Sequence, residues 1–117
     1  MNDKELLDLA ARALGWIDYP TDSVECGDYW HLDAKKAPFG PRIAKWDWNP
    51  LEYKSQALDL AIKFGICLSF VKEADTVQAY QQTEYAEPYN VKVEAMDDYG
   101  TCRAIVRVAA EIGRNVK

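Results

Sequence analysis

The side chains that could do acid–base or metal chemistry are few in this sequence, and they are poorly grouped. The chain has one histidine, His31, and the nearest carboxylate along the chain is Asp33. A histidine base or an imidazole metal site needs further polar groups around the ring. The paired carboxylates Asp97 and Asp98 suit a cation or an acid–base pair, but they directly precede a predicted helix whose exposed N–H groups they would cap. We therefore expect no catalytic residue and no metal site, with His31 at the surface or on an edge strand.

Motifs for catalysis or cofactor binding are also missing from the sequence. There is no Gly-x-Ser-x-Gly elbow, glycine-rich phosphate loop, His-Glu-x-x-His pair or calcium-loop pattern. The three cysteines, Cys26, Cys67 and Cys102, are an odd number at unrelated spacings. This pattern predicts free thiols in a cytosol rather than a disulfide framework. We expect no cofactor.

Tryptophan is concentrated in one segment of the chain. All four tryptophans and four of the five prolines lie within residues 16–50, which show neither a helical nor a strand period. Because large aromatic side chains favour burial or a partner, we predict an ordered, aromatic-rich loop, with Tyr29-Trp30-His31-Leu32 as a short edge strand. Trp, Tyr and Arg are also the residue types that supply binding hot spots. The candidate partner-binding residues are Trp30, Trp46, Trp48, Asp28, Asp33 and Asp47.

Two of these candidates, Trp46 and Trp48, have alternative interpretations. An extended backbone would send both rings to one face, whereas a turn would separate them. Trp48 is followed by Asn49-Pro50, a pair suited to the start of a helix, which favours a structural role for Trp48 as an anchor on the core. We expect Trp46, together with Trp30, to anchor a partner inside a rim formed by the three candidate aspartates.

The elements that must position this loop are three helices, of which two frame it directly. The first is predicted from a cap at Asn2 or Asp3 to Leu14, and the second from about Glu52 to Phe64. A glycine follows each of them, as is usual where helices end. The inner faces are predicted to carry Leu6, Leu7, Ala10, Ala13 and Leu14 in the first helix, and Leu58, Ala61 and Ile62 in the second.

The third helix separates apolar from basic residues. Its apolar stripe, at the i, i+3, i+4, i+7 spacing, is Ile105, Val108, Ala109 and Ile112. Its basic face, predicted to be largely exposed, is Arg103, Arg107 and Arg114. A solvated face is the interpretation we favour over an anion-binding strip, because the chain as a whole is acidic. The helix is predicted to close at Gly113.

A three-stranded antiparallel meander is predicted between the second and third helices. Ile66–Val71 is apolar at nearly every position, which indicates a central strand covered on both faces. Lys72–Asp75 suits a hairpin turn, Thr76–Thr83 is rich in strand-forming residues, and residues 91–95 alternate apolar and charged side chains. The predicted fold is a single α+β domain over residues 1–117, a sandwich of three helices on this small sheet.

Two parts of the chain resemble a known family. Trp48-Asn49-Pro50-Leu51 with Ala57–Gly65, and the helix of residues 101–114, are similar to the phage ABA-sandwich domain, a family of small uncharacterised bacteriophage and prophage proteins. The resemblance implies an α/β sandwich with helices on a small antiparallel sheet. It implies no activity and no catalytic residues, because none is defined for the family. Residues 20–47 do not follow the family's pattern, so a function held there belongs to this protein in particular.

Charge limits the class of partner. The chain has 19 acidic and 14 basic residues and a net charge of -5, which opposes direct binding to nucleic acid and suits a basic protein. The N-terminal residues lack a signal-peptide pattern, and no segment approaches the roughly 20 apolar residues of a membrane span. We therefore expect no membrane contact and a location in the cytoplasm of a bacterial host.

The leading hypothesis is a phage- or prophage-encoded binding protein without catalysis, which acts by occupying a surface of a host protein. Inhibition of a bacterial defence system, of the anti-CRISPR type, is its specific form, since an acidic protein can block the basic channels of a complex that handles nucleic acid. Two alternatives stand beside it. One is a small enzyme that uses carboxylates alone, and the other is a structural or regulatory phage protein that works as a homo-oligomer.

Overall fold

Over the residues that the structure describes, the protein folds as three helices and two small antiparallel sheets, which confirms the predicted α+β class. A computed structural model describes residues 2–18, 29–33, 35–37 and 39–116. The helices and strands are α1 (Asp3–Ala13), β1 (Tyr29–His31), β2 (Arg42–Ala44), α2 (Lys54–Phe64), β3 (Cys67–Val71), β4 (Thr76–Gln81), β5 (Tyr89–Ala95) and α3 (Asp98–Arg114). Short 3-10 turns at Lys45–Asp47 and Lys72–Ala74 come before α2 and β4.

The last helix, α3, packs against more of the other elements than any other helix does. It contacts β4 and β5 of the larger sheet, and both α1 and α2 contact it. Ile105, Val108 and Ala109 are buried, as the helical spacing predicts, and Ile112 is partly buried. The buried residues that complete this face are Cys102, Ala104, Val106 and Ala110.

The first helix, α1, has the limits that its sequence predicts. The Asn2 side chain accepts the Glu5 N–H and caps the helix, and Gly15 follows its end with a positive φ of 82°. Its residues Leu6, Ala10 and Ala11 are buried, with Leu7 and Leu14 partly buried. The early residue Asp3 pairs with Arg103 near the start of α3, while Leu9 lies beside Gly113 near its end, so the two helices run parallel.

The prediction that Gly113 ends α3 is wrong. Gly113 is buried inside the helix, which continues to Arg114 and is capped by Asn115. A Cβ atom at position 113 would collide with the main-chain carbonyl of Leu9 on α1. This glycine is therefore needed for the close approach of two helices rather than for a left-handed end.

The predicted inner face of α2 is only partly right. Ala61 is buried as predicted, but Leu58 is 57% exposed and Ile62 is 71% exposed, and the other buried residues are Ala57 and Leu60. Because large apolar side chains lie on both sides of the helix, their spacing alone does not fix which side faces the core. The helix starts at Lys54 and stops, as predicted, before Gly65 in a left-handed conformation with φ 63°.

The larger sheet has the predicted meander topology, but its centre is different. The strand order is β3-β4-β5, so β3 is an edge strand and β4 is central. Val77 and Ala79 of β4 are fully buried, whereas Phe70 of β3 is 58% exposed. The apolar run of β3, which predicts a central strand, therefore places apolar side chains on both faces of an edge strand. The turn between β3 and β4 is as predicted and ends at Asp75, which has a φ of 54°.

The last strand, β5, exposes its apolar side chains. Val91 and Val93 are exposed, while Lys92 and Glu94 point towards α3, where both form ion pairs. Alternation alone cannot say which set of side chains faces the core. The charged set is the inner one in this case, because Lys92 pairs with Glu111 of α3 and Glu94 pairs with its arginines.

The basic face of α3 is less exposed than the sequence predicts. The side chains of Arg103 and Arg107 keep 24% and 35% of their surface, because Asp3 of α1 and Glu94 of β5 pair with them. Arg114 is exposed, as predicted. The arginines therefore connect three elements instead of facing only water.

One hydrophobic cluster joins the helices, the larger sheet and the aromatic segment, because Trp30 and Trp48 belong to it together with residues of α1, α2, β4 and α3. Among the described residues, no helix has the length and apolarity that crossing a membrane would require.

Candidate partner-binding surface

The aromatic segment is built on a short hairpin. Strand β1 pairs antiparallel with β2, with Trp30 opposite Ile43, and Ile17 forms an isolated bridge to His31 on the other edge of β1. This confirms a strand at Tyr29–His31. The described part of residues 16–50 is thus ordered, while residues 19–28, 34 and 38 lie outside the described residues.

A 3-10 turn at Lys45–Asp47 separates the two neighbouring tryptophans. Trp46 is 64% exposed, whereas Trp48 is only 5% exposed and packs edge-on against Trp16 with 5.0 Å between ring centroids. Of the two predicted alternatives, an extended backbone or a turn, the structure has the turn, and the two rings point to different sides. Trp48 therefore anchors the segment on the core, and Trp46 is available at the surface.

The position of Trp30 does not suit its expected role as an anchor for a partner. It is 5% exposed and belongs to the core, and the Lys45 ammonium lies 4.6 Å from the centre of its ring. Lys45 is held there by an ion pair of 3.0 Å with Asp18. A ring inside the core and covered by a lysine is not free to anchor a partner, so the expectation for Trp30 is not met.

The exposed ring of Trp46 belongs to a stack of three side chains. The ring of Tyr29 lies 5.7 Å from that of Trp46, and the Arg42 guanidinium lies 4.1 Å from the centre of the Tyr29 ring. We call Tyr29, Arg42 and Trp46 the aromatic surface. Sequence reasoning missed Tyr29 and Arg42, although a hairpin register pairing Tyr29 with Ala44 would have brought them together.

The two candidate aspartates that the structure describes, Asp33 and Asp47, do not form a rim around Trp46. Asp47 is exposed next to it, and its main-chain carbonyl accepts a 2.8 Å hydrogen bond from Gln56 of α2. Asp33 is half-buried in the hairpin loop, where its carboxylate accepts the Lys35 N–H at 3.0 Å. Asp28 lies outside the described residues. Of the two described aspartates, Asp47 alone is beside the exposed ring.

Two adjoining cavities lie between α1 and the hairpin, with volumes of about 390 and 270 Å³. Both are lined by Asp8, Asp18 and Trp30. Lys4 and Lys45 line the larger cavity and Arg12 the smaller one, so both cavities carry acidic and basic side chains. The mixed charge gives the groove no preference for a ligand of one sign.

The residues considered for catalysis, His31, Asp97 and Asp98, all take part in contacts that stabilise the fold. His31 is fully buried on β1, where its main chain exchanges two hydrogen bonds with Ile17, so its ring does not meet solvent. Asp97 caps α3 by accepting the Gly100 N–H, and Asp98 forms an exposed ion pair with Lys54. Within the described residues, no group of three or more His, Cys, Asp or Glu side chains could hold a metal ion.

Two of the three cysteines can be located. Cys67 on β3 and Cys102 on α3 are free, which agrees with the prediction for these two. Cys26 lies outside the described residues.

Comparison with known proteins adds no assignment, since no family model, no curated protein and no solved structure matches this chain.

Proposed function

We propose that this is a binding protein without catalysis of its own, which contacts a partner protein through the aromatic surface. The observation that carries the proposal is the contrast between Trp46, which is 64% exposed, and its two buried neighbours in the same segment. A large apolar ring left in water gains free energy when a partner covers it. Tryptophan, tyrosine and arginine are the side chains that most often dominate such contacts.

The aromatic surface is also held in place before binding. Tyr29 stands on a paired strand, and its ring is covered by Arg42 and flanked by Trp46. Side chains that are already ordered lose little conformational entropy when a partner arrives. This favours a contact surface over a set of exposed side chains without a role.

A basic protein is the class of partner that fits best. The chain carries a net charge of -5, Asp47 adjoins the exposed ring, and the faces of aromatic rings attract cations. The resemblance to phage proteins supports a partner from a bacterial host, met in its cytoplasm. Blocking a host defence complex that handles nucleic acid is the specific form of this proposal, supported by the same charge.

The test is capture of partners from a bacterial lysate, followed by affinity and stability measurements on single variants. Trp46→Ala should weaken binding of the captured protein by more than about 2 kcal/mol and change the free energy of unfolding by less than about 1 kcal/mol. Tyr85→Ala is the control, because Tyr85 is an even more exposed aromatic side chain, in the loop between β4 and β5 and outside the aromatic surface.

Two results would contradict the proposal. One is a captured protein that binds Trp46→Ala as tightly as the unchanged chain. The other is a loss of about 3–5 kcal/mol in stability on Trp46→Ala, which is the range for a buried tryptophan.

A further inference from the structure

A second, separate pocket lies where α1, β5 and α3 meet. Its volume is about 280 Å³, and its lining includes Leu6 of α1, Lys92 of β5 and the α3 side chains Arg103, Arg107, Glu111 and Arg114. The three arginines stand four and seven residues apart along α3, which places them on one face of the helix. This pocket does not share a lining residue with the aromatic surface.

The charge of this pocket is opposite to that of the whole chain. Four cationic side chains line it, against the single carboxylate of Glu111. Two further carboxylates, Asp3 and Glu94, pair with the arginines. One positive charge remains when all three carboxylates are counted, in a protein whose net charge is -5.

The guanidinium groups of Arg103 and Arg107 are fixed in position by the surrounding elements. Arg103 donates from Nε to Glu94 at 3.1 Å and from Nη1 to Asp3 at 2.7 Å. Arg107 donates from Nη1 to the same Glu94 oxygen at 3.0 Å and to the Val93 carbonyl at 3.3 Å. The hydrogen bond to Asp3 is the main cause that raises the pKa of Arg103 above its ordinary value. These contacts orient the cations before any ligand is present.

Donors in the pocket remain available. Within the described part of the chain, Nε and Nη2 of Arg107 have no acceptor, and the same two atoms of Arg114 have none. The Glu111 carboxylate is shared between Lys92 at 4.0 Å and Arg114 at 3.5 Å, and both distances are beyond those of good charge-assisted hydrogen bonds. The pocket thus holds more positive donors than its own carboxylates satisfy.

We propose that this pocket binds a phosphate group, either as free phosphate or on a small monoester. Planar guanidinium groups match the oxygens of phosphate, and a phosphate monoester brings about two negative charges and three acceptor oxygens. It can therefore accept from Arg107, Arg114 and Lys92 together, with one oxygen for each cation and more negative charge than a carboxylate brings. The volume lies just below the usual range of about 300–1,000 Å³ for ligand pockets, so it suits a small ligand. The chain's overall negative charge opposes a nucleic acid backbone.

The experiment is calorimetric titration of the full chain with inorganic phosphate and with glycerol phosphate, at an ionic strength held constant with NaCl. We expect saturable binding of at least one of them. Tighter binding of glycerol phosphate identifies a monoester as the ligand, and binding of inorganic phosphate alone identifies free phosphate. The proposal would be overturned if neither inorganic phosphate nor glycerol phosphate saturated the protein up to about 10 mM.

Three variants test whether the charges of the pocket cause the binding. Arg114→Gln should weaken phosphate binding about tenfold, because it removes a charged donor whose only ionic partner in the described residues is Glu111. Glu111→Gln should tighten binding severalfold, because it removes the one carboxylate that lines the pocket. Lys63→Gln, an exposed charge change on α2 outside the pocket, should have no effect.

The Glu111→Gln variant separates binding from a purely structural role of the network. If the arginines only connect α1, β5 and α3, removal of Glu111 cannot improve affinity for phosphate. Weaker binding by Glu111→Gln, or equal effects of Arg114→Gln and Lys63→Gln, would therefore refute the proposal. The thermal unfolding midpoint of each variant shows that it is folded under the conditions of the titration.

Discussion

Small residues decide how closely the two parallel helices approach each other. Ala10 and Ala11 of α1 and Ala109 of α3 are fully buried, and Gly113 presents no side chain at all to Leu9. Such contacts bury backbone against backbone and leave no room for a larger group. A single added methyl group is therefore enough to disturb the contact.

Gly113→Ala should lower the free energy of unfolding by at least about 2 kcal/mol, because the new Cβ would collide with the Leu9 carbonyl. Chemical denaturation measures this change. Gly15→Ala is the comparison, since Gly15 has open space around it and only its positive φ opposes a side chain. That change should cost about 1 kcal/mol. Equal, small effects at both positions would show that α1 and α3 are less closely apposed.

The Cys102 thiol should ionise at higher pH than a free thiol. Burial raises the pKa of Cys102 above its ordinary value, the Asp98 carboxylate acts in the same direction, and Lys54 acts in the opposite one. Unfolded chains therefore ionise first. This thiol's contribution to stability is complete below the ordinary value of 9.0 and is lost as the pH rises through the higher folded pKa.

The measurement is the rate of thiol labelling against pH in a Cys26→Ser variant, with labelled Cys102 identified by mass spectrometry. An unfolded peptide of residues 98–106 is the reference. Cys102 in the folded protein should reach its maximum rate at a higher pH than the peptide does. Identical pH profiles would contradict the shift.

At the scale of elements, α2 offers a direct comparison of its two faces. Leu60→Ala should destabilise the protein by about 2–5 kcal/mol, because Leu60 is fully buried. Leu58→Ala, on the same helix with the same chemical change, should alter stability by less than about 0.5 kcal/mol, because Leu58 is mostly exposed. Urea denaturation of both variants measures the difference. A larger loss of stability for Leu58→Ala than for Leu60→Ala would show that the face carrying Leu58 and Ile62 lies against the core.

The limits of the elements were more predictable from the sequence than their orientation. Asn2, Gly15, Gly65 and Asp97 act locally through caps and left-handed ends, so their effect can be read from neighbouring residues. The inner face of α2 and the edge position of β3 depend on contacts with distant parts of the chain. Gly113 shows the same limit, because its partner lies on another helix.

The candidate surface was predictable only in part for a related reason. The Trp-x-Trp spacing left open whether an extended backbone would keep Trp46 and Trp48 on one face or a turn would separate them, and the structure has the turn. The supporting side chains, Tyr29 and Arg42, could be assigned only with the hairpin register in hand. The burial of Trp30 follows from its contact with the core, which no local pattern in residues 16–50 reveals.

For the molecule as a whole, the single core predicts a single cooperative unfolding transition. The aromatic segment contributes Trp30 and Trp48 to the cluster formed by the helices and the larger sheet. All four tryptophans lie between residues 16 and 48, so their fluorescence reports on that segment, while far-UV circular dichroism reports mostly on the helices. The two signals should change at the same urea concentration.

The variant Ala10→Asp extends this test, because Ala10 is fully buried in α1. A carboxylate there should shift the fluorescence and dichroism transitions together to lower urea. A fluorescence transition that stays in place while the dichroism shifts would show that the hairpin is stable by itself.

The parallel contact of α1 with α3 also has a consequence for the order of events during synthesis. The ribosome makes α1 before α3, and residues 14–114 must follow before the helix that buries Leu6, Ala10 and Ala11 is complete. At about 5–20 residues per second, those three side chains stay without their partner for roughly 5–20 s. The nascent chain therefore exposes the apolar side chains of α1 for that interval, which leaves this segment open to chaperones and proteases until α3 covers it.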